Sequence, residues 1–389
     1  MDSLSNSWPE PDHELPGEFP ATDAALEARL SAIDPAEYTR SRNYLNGAVS
    51  RLSPYLTHGF ISVPEVVAFL RERHGLSIEH KFIFELAWRE YFHHVWNRIG
   101  DGILSSLRHP PGNGYRTEMP EDLLTASTGV KVIDSAVRTL YGTGYLHNHE
   151  RMWLASYAVH LRKVDWRIGA DWMYGHLLDG DLPCNHLSWQ WVAGTLTGKP
   201  YLFNADNVAR FAPPMASRCS AIDCSYNLLQ RIATSDTDVG REAQHPEPII
   251  PPPLLPLPPA LDQPSATIPE NRIKLVHPWN LRSRAGPLRV LLLRDFHQRW
   301  PWSARRWAFL QARVKLNDFQ CLAADSSEIP LLLAGVEADA IAADHPIYDE
   351  VLLTASPVRP VPRQFCNPES LCRSFSAFWH RVNRGHGAA

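Results

Sequence analysis

The chain has 389 residues, enough for two domains and at least one sizeable core, and a net charge of −4 that neither requires nor excludes nucleic acid. Apolar residues make up 44% and charged residues 21%, the balance of a soluble globular protein, and no run of about 18 apolar residues exists, which excludes a membrane span. Six cysteines without a CxxC pair argue for a reduced compartment, so a cytoplasmic protein is expected.

Residues 1–21 are polar and proline-rich, without a signal-peptide pattern, and are expected to be disordered. From Ala24 to about Gln230 the pattern is helical. "ALEARLSAI" is amphipathic, and "VPEVVAFLRERHG" has Pro near its start and Gly at its end. "SIEHKFIFELAWREYFHHVWNRIG" predicts a long helix ending at Gly100. "GVKVIDSAVRTLYGTG" and "NHERMWLASYAVHLRKV" continue the theme.

Residues 245–270 hold ten prolines, which predicts an extended spacer, partly polyproline II. After it the texture changes. "LRVLLLRDFH" reads as a buried strand, "PWSARRWAFLQARVKL" as a helix, and "ADAIAADHP" and "YDEVLLTAS" as further short strands. Within 281–320, nine Lys/Arg face Asp295 and Asp318, a local balance of +7. That stretch suits either phosphate or a solvated arginine-rich surface.

Four short motifs carry chemistry. In "SRLSPYLTHG", Ser53 reads as an N-cap and Pro54 as the first helical residue, and a helix start suits phosphate; taken alone, it marks only a helix start. In "FELAWREYF", Glu85, Trp88, Arg89 and Phe92 share a helical face. Glu85 and Arg89 read either as a plain ion pair or as polar contacts of a cavity. In "YLHNHERMW" the histidine spacing fits no common zinc pattern. In "LLDGDLPCNHLSWQW", Asp179 and Asp181 cannot open a calcium loop, because the sixth position is Cys184 and the twelfth Gln190. Buried carboxylates need partners, and Arg151 and Arg89 are candidates.

Together, "SRLSPYLTHG", "ELAWREYF", "TGVKVIDSAVRTLYGTGYLHNHERM", "VDWRIGADWM" and "LLDGDLPCNHLSWQW" resemble the FAD-binding helical domain of the DNA photolyase/cryptochrome family, from about Tyr38 to Pro213. The resemblance implies a mostly α fold, with a helical FAD-binding domain over 22–240; composition and pattern add a proline-rich linker over 241–275 and a small α/β region over 276–389. It implies FAD as cofactor. Tyr38, Ser50, Arg51, Leu52 and Ser53 match the phosphate side, with Val49 where the family usually has Thr. Phe82, Arg89, Asn148, Arg151, Asp179, Gly180, Asp181 and Asn185 match the flavin lining. Asp179 would pair with Arg151. Asn185 would face flavin N5, as in photolyases rather than plant cryptochromes, which have Asp there.

The same resemblance implies a pocket for a flipped-out pyrimidine dimer in UV-damaged DNA. It would be built from Glu85, Trp88, Asn148, Met152 and Trp191, with His149 where Arg is usual. A damaged pair is weakly stacked and cheap to extrude. Trp189 and Trp166 match the first two members of the chain that photoreduces FAD. The third is missing from 107–115, where Tyr115 is the nearby aromatic. The family's N-terminal α/β domain has no counterpart ahead of the helical motifs, and no antenna pigment is expected.

The leading expectation is blue-light repair of cyclobutane dimers by electron transfer from excited FADH⁻. The rivals are a cryptochrome-like light sensor without repair and a light-indifferent flavoprotein. No metal site and no membrane partner are expected.

Overall fold

The computed structural model describes residues 19–112, 114–262, 268, 270–282, 288–355 and 358–383. Most of the N-terminal stretch expected to be disordered, and Arg284 of the arginine-rich run, lie outside these residues. The chain divides into two compact units that do not follow its linear order. One is made of 30–51, 63–251 and 363–383, the other of 19–29, 52–62 and 252–362. These boundaries do not coincide with those expected at residues 22, 240 and 275.

The first unit is helical. Its main helices are Val63–His74, Lys81–Ile99, Lys131–Thr143, Asn148–Ser156, Trp166–His176 and Leu182–Ala193. Local sequence starts and stops them. Asp165 accepts from the Arg167 N–H at 2.9 Å, and Asp181 from the Cys184 N–H at 3.1 Å, as N-caps. Gly144 and Gly194 close their helices at φ +69° and +82°, the left-handed conformation that glycine reaches without a Cβ penalty.

The Asn148 helix runs on through one π turn, Tyr157–Leu161, so "NHERMWLASYAVHL" is one continuous rod with a bulge. Trp153, Trp166 and Trp189 are buried in one apolar core with Val132, Ile133, Leu154 and Phe203. Burying indoles of this size contributes strongly to the unit's stability.

The start of the proline-rich stretch, 245–251, is extended, but it is not a free spacer. The Ile249 N–H donates to the Thr125 carbonyl and Arg138 reaches the carbonyl of Glu247; just ahead of it, the N–H groups of Val239 and Glu242 donate to the carbonyls of Leu161 and Thr128. Extended backbone that docks in this way satisfies its donors on the helical unit.

The second unit holds a parallel sheet. Its order is Gln320–Ala324, Leu288–Leu293, Arg272–Val276, Glu337–Ile341, Val358–Arg359. The all-buried pattern of "LRVLLL" is that of a strand covered on both faces. Arg272–Val276, which falls in the expected linker, is instead the central strand. "YDEVLLTAS" is also corrected: Pro346–Ala355 is a helix. Short apolar runs do not separate strand from helix by periodicity.

The arginine-rich run is only partly solvated: Arg282, Arg299 and Lys315 are exposed, while others are held by partners. Arg306 and Arg313 are buried. Arg306 lies 3.8 Å over the Trp302 ring. Arg313 donates to the Leu281 carbonyl and pairs with Asp23, both at 2.9 Å. Arg289 pairs with Glu270, and Arg294 with Asp262 and Glu328.

Candidate flavin site

The helical unit brings two carboxylates into charged pairs. Arg151 donates from Nη2 to Asp179 Oδ2 at 2.7 Å, and from Nε to the Leu146 carbonyl at 3.0 Å. Arg89 donates from Nη2 to Asp181 Oδ2 at 2.9 Å. His93, one turn further along the same helix, meets that oxygen at 2.9 Å. Asp181 Oδ1 caps the next helix. Burial alone would raise the Asp181 pKa; the Arg89 guanidinium and His93 outweigh it and hold the carboxyl well below the usual range. Burial likewise works against the Arg151 charge, but Asp179 more than offsets it, so its pKa is raised.

The alternative ion pair within the Lys81–Ile99 helix does not form. Arg89 is committed to Asp181, while Glu85 pairs with Lys81 at 2.8 Å and with Arg42 at 3.5 Å. His93, Asp181 and Cys184 are the one group of three possible metal-binding side chains among the described residues. Both Asp181 oxygens are already engaged by protein donors.

His147 fixes the start of the Asn148 helix. Its Nδ1 accepts from the His149 N–H at 3.1 Å, and its own N–H donates to Glu150 Oε2 at 3.0 Å, a reciprocal cap. Its Nε2 then donates to the Arg42 carbonyl at 2.9 Å. This cap orients the turn that carries Asn148, Arg151 and Met152. Asn148 is exposed, and its Nδ2 rests 3.3 Å from Met152 Sδ.

His149 lies among rings: Phe211 at 4.8 Å, Trp153 at 5.4 Å and His147 at 5.7 Å. Burial, with His147 and Arg42 nearby, lowers its pKa to about 4. The residue standing where the family has Arg is therefore uncharged at neutral pH.

Burial also lowers His160 and His176 to about 4. Neutral in the folded state, these histidines take up protons near pH 6.5 when unfolded. Stability is thus full above about pH 6.5 and falls as the pH drops toward about 4. Urea midpoints at pH 7.5 and pH 5 check this; equal midpoints would contradict it.

The remaining candidates fall as follows. Tyr38 packs on Phe82 with ring centres 4.6 Å apart. Ser50 and Arg51 are in non-helical chain, and Arg51 has φ +52°, an uncommon conformation for a non-glycine residue. Leu52 and Ser53 belong to the other unit. There Ser53 is the first residue of a five-residue helix with Leu52 as its cap, and no side chain caps it, so the expected Ser53 N-cap is corrected. Gly180 closes the turn between the two aspartates, its N–H donating to the Leu177 carbonyl at 3.1 Å. Asn185 is buried and donates from Nδ2 to the Ala170 carbonyl at 2.8 Å.

Trp166 is buried and donates from Nε1 to Ser106 Oγ at 3.1 Å. Trp189 is 2% exposed, and its Nε1 has no hydrogen-bond partner among the described residues. Trp191 is 37% exposed and lies 5.5 Å from Tyr201. Trp88 is half-buried and stacks on Phe375 at 3.9 Å. Sequence reasoning missed His93 and Phe375. The first was signalled by its i+4 position from Arg89; the second had no local signal.

Residues 82–222 match the family model described as the FAD binding domain of DNA photolyase. The helical unit carries a photolyase/cryptochrome-type FAD-binding domain. Among curated proteins the chain is 41% identical over 165 residues to a deoxyribodipyrimidine photo-lyase of Streptomyces griseus, covering 42% of this chain and 36% of that one. It is 34% identical over 194 residues to the Thermus thermophilus protein of that name, covering 48% and 46%. It is 34% identical over 179 residues to a cryptochrome DASH, chloroplastic/mitochondrial, of Ostreococcus tauri, covering 43% and 33%. The chain thus spans less than half the length of each of these relatives.

The residues present fit FAD. The domain offers a buried indole N–H without a protein acceptor at Trp189, and an Asn185 amide with one of its two donors used. Two charged pairs, Arg151–Asp179 and Arg89–Asp181, are preformed. No described helix is long and apolar enough to cross a membrane.

Proposed function

We propose that the chain is a flavin-dependent, light-driven DNA repair protein acting on cyclobutane pyrimidine dimers. When bound, reduced FAD would supply an electron on blue-light excitation, and the protein would supply binding, orientation and electrostatics. The observation that carries this reading is the face of the Lys81–Ile99 helix. Glu85 and Trp88, the candidate lesion contacts, stand within one turn of Arg89, which is held by Asp181 on the flavin side. In this reading one helix carries both the lesion groups and the flavin groups.

In this reading Arg151, Asp179, Arg89, Asp181 and Asn185 bind and orient the isoalloxazine, and Tyr38, Ser50 and Arg51 of the same unit serve the phosphate side. Glu85 and Asn148 present hydrogen-bonding groups to the extruded bases, and Trp88, Met152 and Trp191 form apolar walls. The half-exposed state of Glu85 and the exposed Trp191 and Asn148 suit contact with a large ligand. Trp189 and Trp166 would deliver the electron that reduces the flavin.

A second reading, a light sensor without repair, is favoured by His149. An uncharged ring enclosed by aromatics supplies none of the positive charge that an Arg would bring to DNA. The test uses purified protein with flavin visible in its spectrum, reduced anaerobically and mixed with a thymine-dimer oligonucleotide. Under blue light, restored thymines above the dark control are expected. Equal yields in light and dark would discard repair in favour of the sensor.

A further inference from the structure

The Lys81–Ile99 helix has a second face, and residues 363–383 of the same unit are strapped to it. Glu90, one of the few buried carboxylates, accepts from the N–H of Gln364 at 2.7 Å and of Phe365 at 2.9 Å. His94 bridges the strap, with Nδ1 on Asn367 Oδ1 at 2.7 Å and Nε2 accepting from the Cys372 N–H at 2.9 Å. Arg98 donates from Nε to the Pro368 carbonyl at 3.1 Å. Positions 90, 94 and 98 are successive turns of one stripe.

The strap delivers the helix Phe375–Asn383 onto the neighbouring stripe, 84, 88 and 91. Phe375 meets Phe84 at 4.9 Å and Tyr91 at 5.8 Å. Phe84 also meets Trp379 at 5.1 Å, and Tyr91 meets Phe378 at 5.6 Å. The tightest contact is with Trp88: ring centres 3.9 Å apart, planes within 8°.

At about 100° per residue, Trp88 sits between this tail-covered face and the side that carries Glu85 and Arg89. One face of its indole is therefore taken by Phe375. The ring is only half-buried, so it is not enclosed on every side. Phe375 itself is 6% exposed and held by three aromatic neighbours on the helix, so it forms a fixed backing.

We infer that Phe375 is a positioning residue: it backs the Trp88 indole and sets the ring plane that a pyrimidine dimer packs against. The inference rests on the reading of Trp88 as a wall of the lesion pocket. It gives the C-terminal segment a task in lesion discrimination. An indole free to rotate about its side-chain torsions would offer edge or face at random, whereas a stacked one offers its face.

The test uses the full chain loaded with FAD. Binding is measured to an oligonucleotide holding one thymine dimer and to its undamaged counterpart. Phe375→Leu keeps apolar volume but not the planar surface, and Phe375→Tyr keeps the plane. F375L is expected to lower the ratio of damaged to undamaged affinity about five-fold, the worth of one aromatic pair. Flavin content and undamaged-DNA affinity should stay unchanged, and F375Y should retain the ratio.

An unchanged or raised ratio in F375L overturns the inference; a raised ratio would mean that the tail covers the pocket rather than backs it. Equal loss in F375L and F375Y also overturns it, because plane would then not matter. Trp88→Ala separates the two readings. If W88A leaves the ratio intact, the lesion-wall reading of Trp88 fails and the inference with it. If W88A lowers the ratio and F375L does not, only the inference fails.

Discussion

Asp181→Ala is expected to lower the melting temperature by roughly 6–12 °C and to yield protein with little flavin. Its side chain is 4% exposed and holds three donors: Arg89, His93 and the Cys184 N–H. Breaking a buried pair from one side costs about 3–5 kcal/mol, because the remaining charge is stranded. Arg89 is 21% exposed, so solvent takes up part of that charge and the lower end, about 3 kcal/mol, applies. For a domain of this size each kcal/mol is worth about 2–4 °C.

Asp181→Asn separates two contributions. An amide oxygen can still cap the Leu182–Ala193 helix, so D181N should keep the cap's share, about 1 kcal/mol, and lose the charge pairing. D181N is therefore expected to melt between wild type and D181A. The carboxyl titrates below the usual range, so its contribution is complete at neutral pH and is lost only in strong acid. Thermal melts with flavin absorbance on the same samples check this. A D181A protein melting within about 1 °C of wild type would mean that Arg89 and His93 do not depend on the carboxylate.

The charged pairs were legible because buried carboxylates require partners and only a few arginines stood on suitable faces. The rule named Arg151 and Arg89 as candidate partners, the family resemblance implied Asp179 with Arg151, and the structure adds Asp181 with Arg89. What the rule could not give is which of two candidate partners wins. Glu85 and Arg89 have ideal helical spacing, yet that exposed pair is worth only a few tenths of a kcal/mol. A nearly buried Asp181 gains far more from the same guanidinium, so the long-range pair wins.

Helices were legible from their periodicity and from end signals such as Gly100, which closes the Lys81–Ile99 helix. The discontinuous make-up of the units was not, because residues 24–29 and 52–62 read as ordinary members of a helical run. Their place is fixed by partners far along the chain, such as Arg313 for Asp23 and Leu281 for the His58 carbonyl. Phe375 was missed for the same reason: nothing local marks a ring whose role is set by Trp88, far earlier in the chain. The arginine-rich run misled because composition counts charges without their partners.

Gly169→Ala tests how the buried Trp189 is set beside Trp166. Gly169 is helical with ordinary φ, so its value is not backbone freedom. A Cβ there would stand 2.4 Å from both Cζ3 and Cη2 of Trp189, well inside contact distance. Trp189 is 2% exposed and packed in the core with Trp166, so it cannot swing away into solvent. Overpacking of this kind costs about 1–3 kcal/mol.

The control is Gly142→Ala, in the Lys131–Thr143 helix, where a Cβ meets nothing within 4 Å. There the loss of glycine's unfolded-state freedom dominates, and stability should rise by about 0.5–1 kcal/mol. Opposite signs for the same chemical change, read by urea titration, would establish that the missing Cβ at 169 exists for Trp189. If Trp189 passes the electron that reduces the flavin, G169A should also slow photoreduction, whereas G142A should not. A G169A protein as stable as G142A would mean that the indole lies elsewhere.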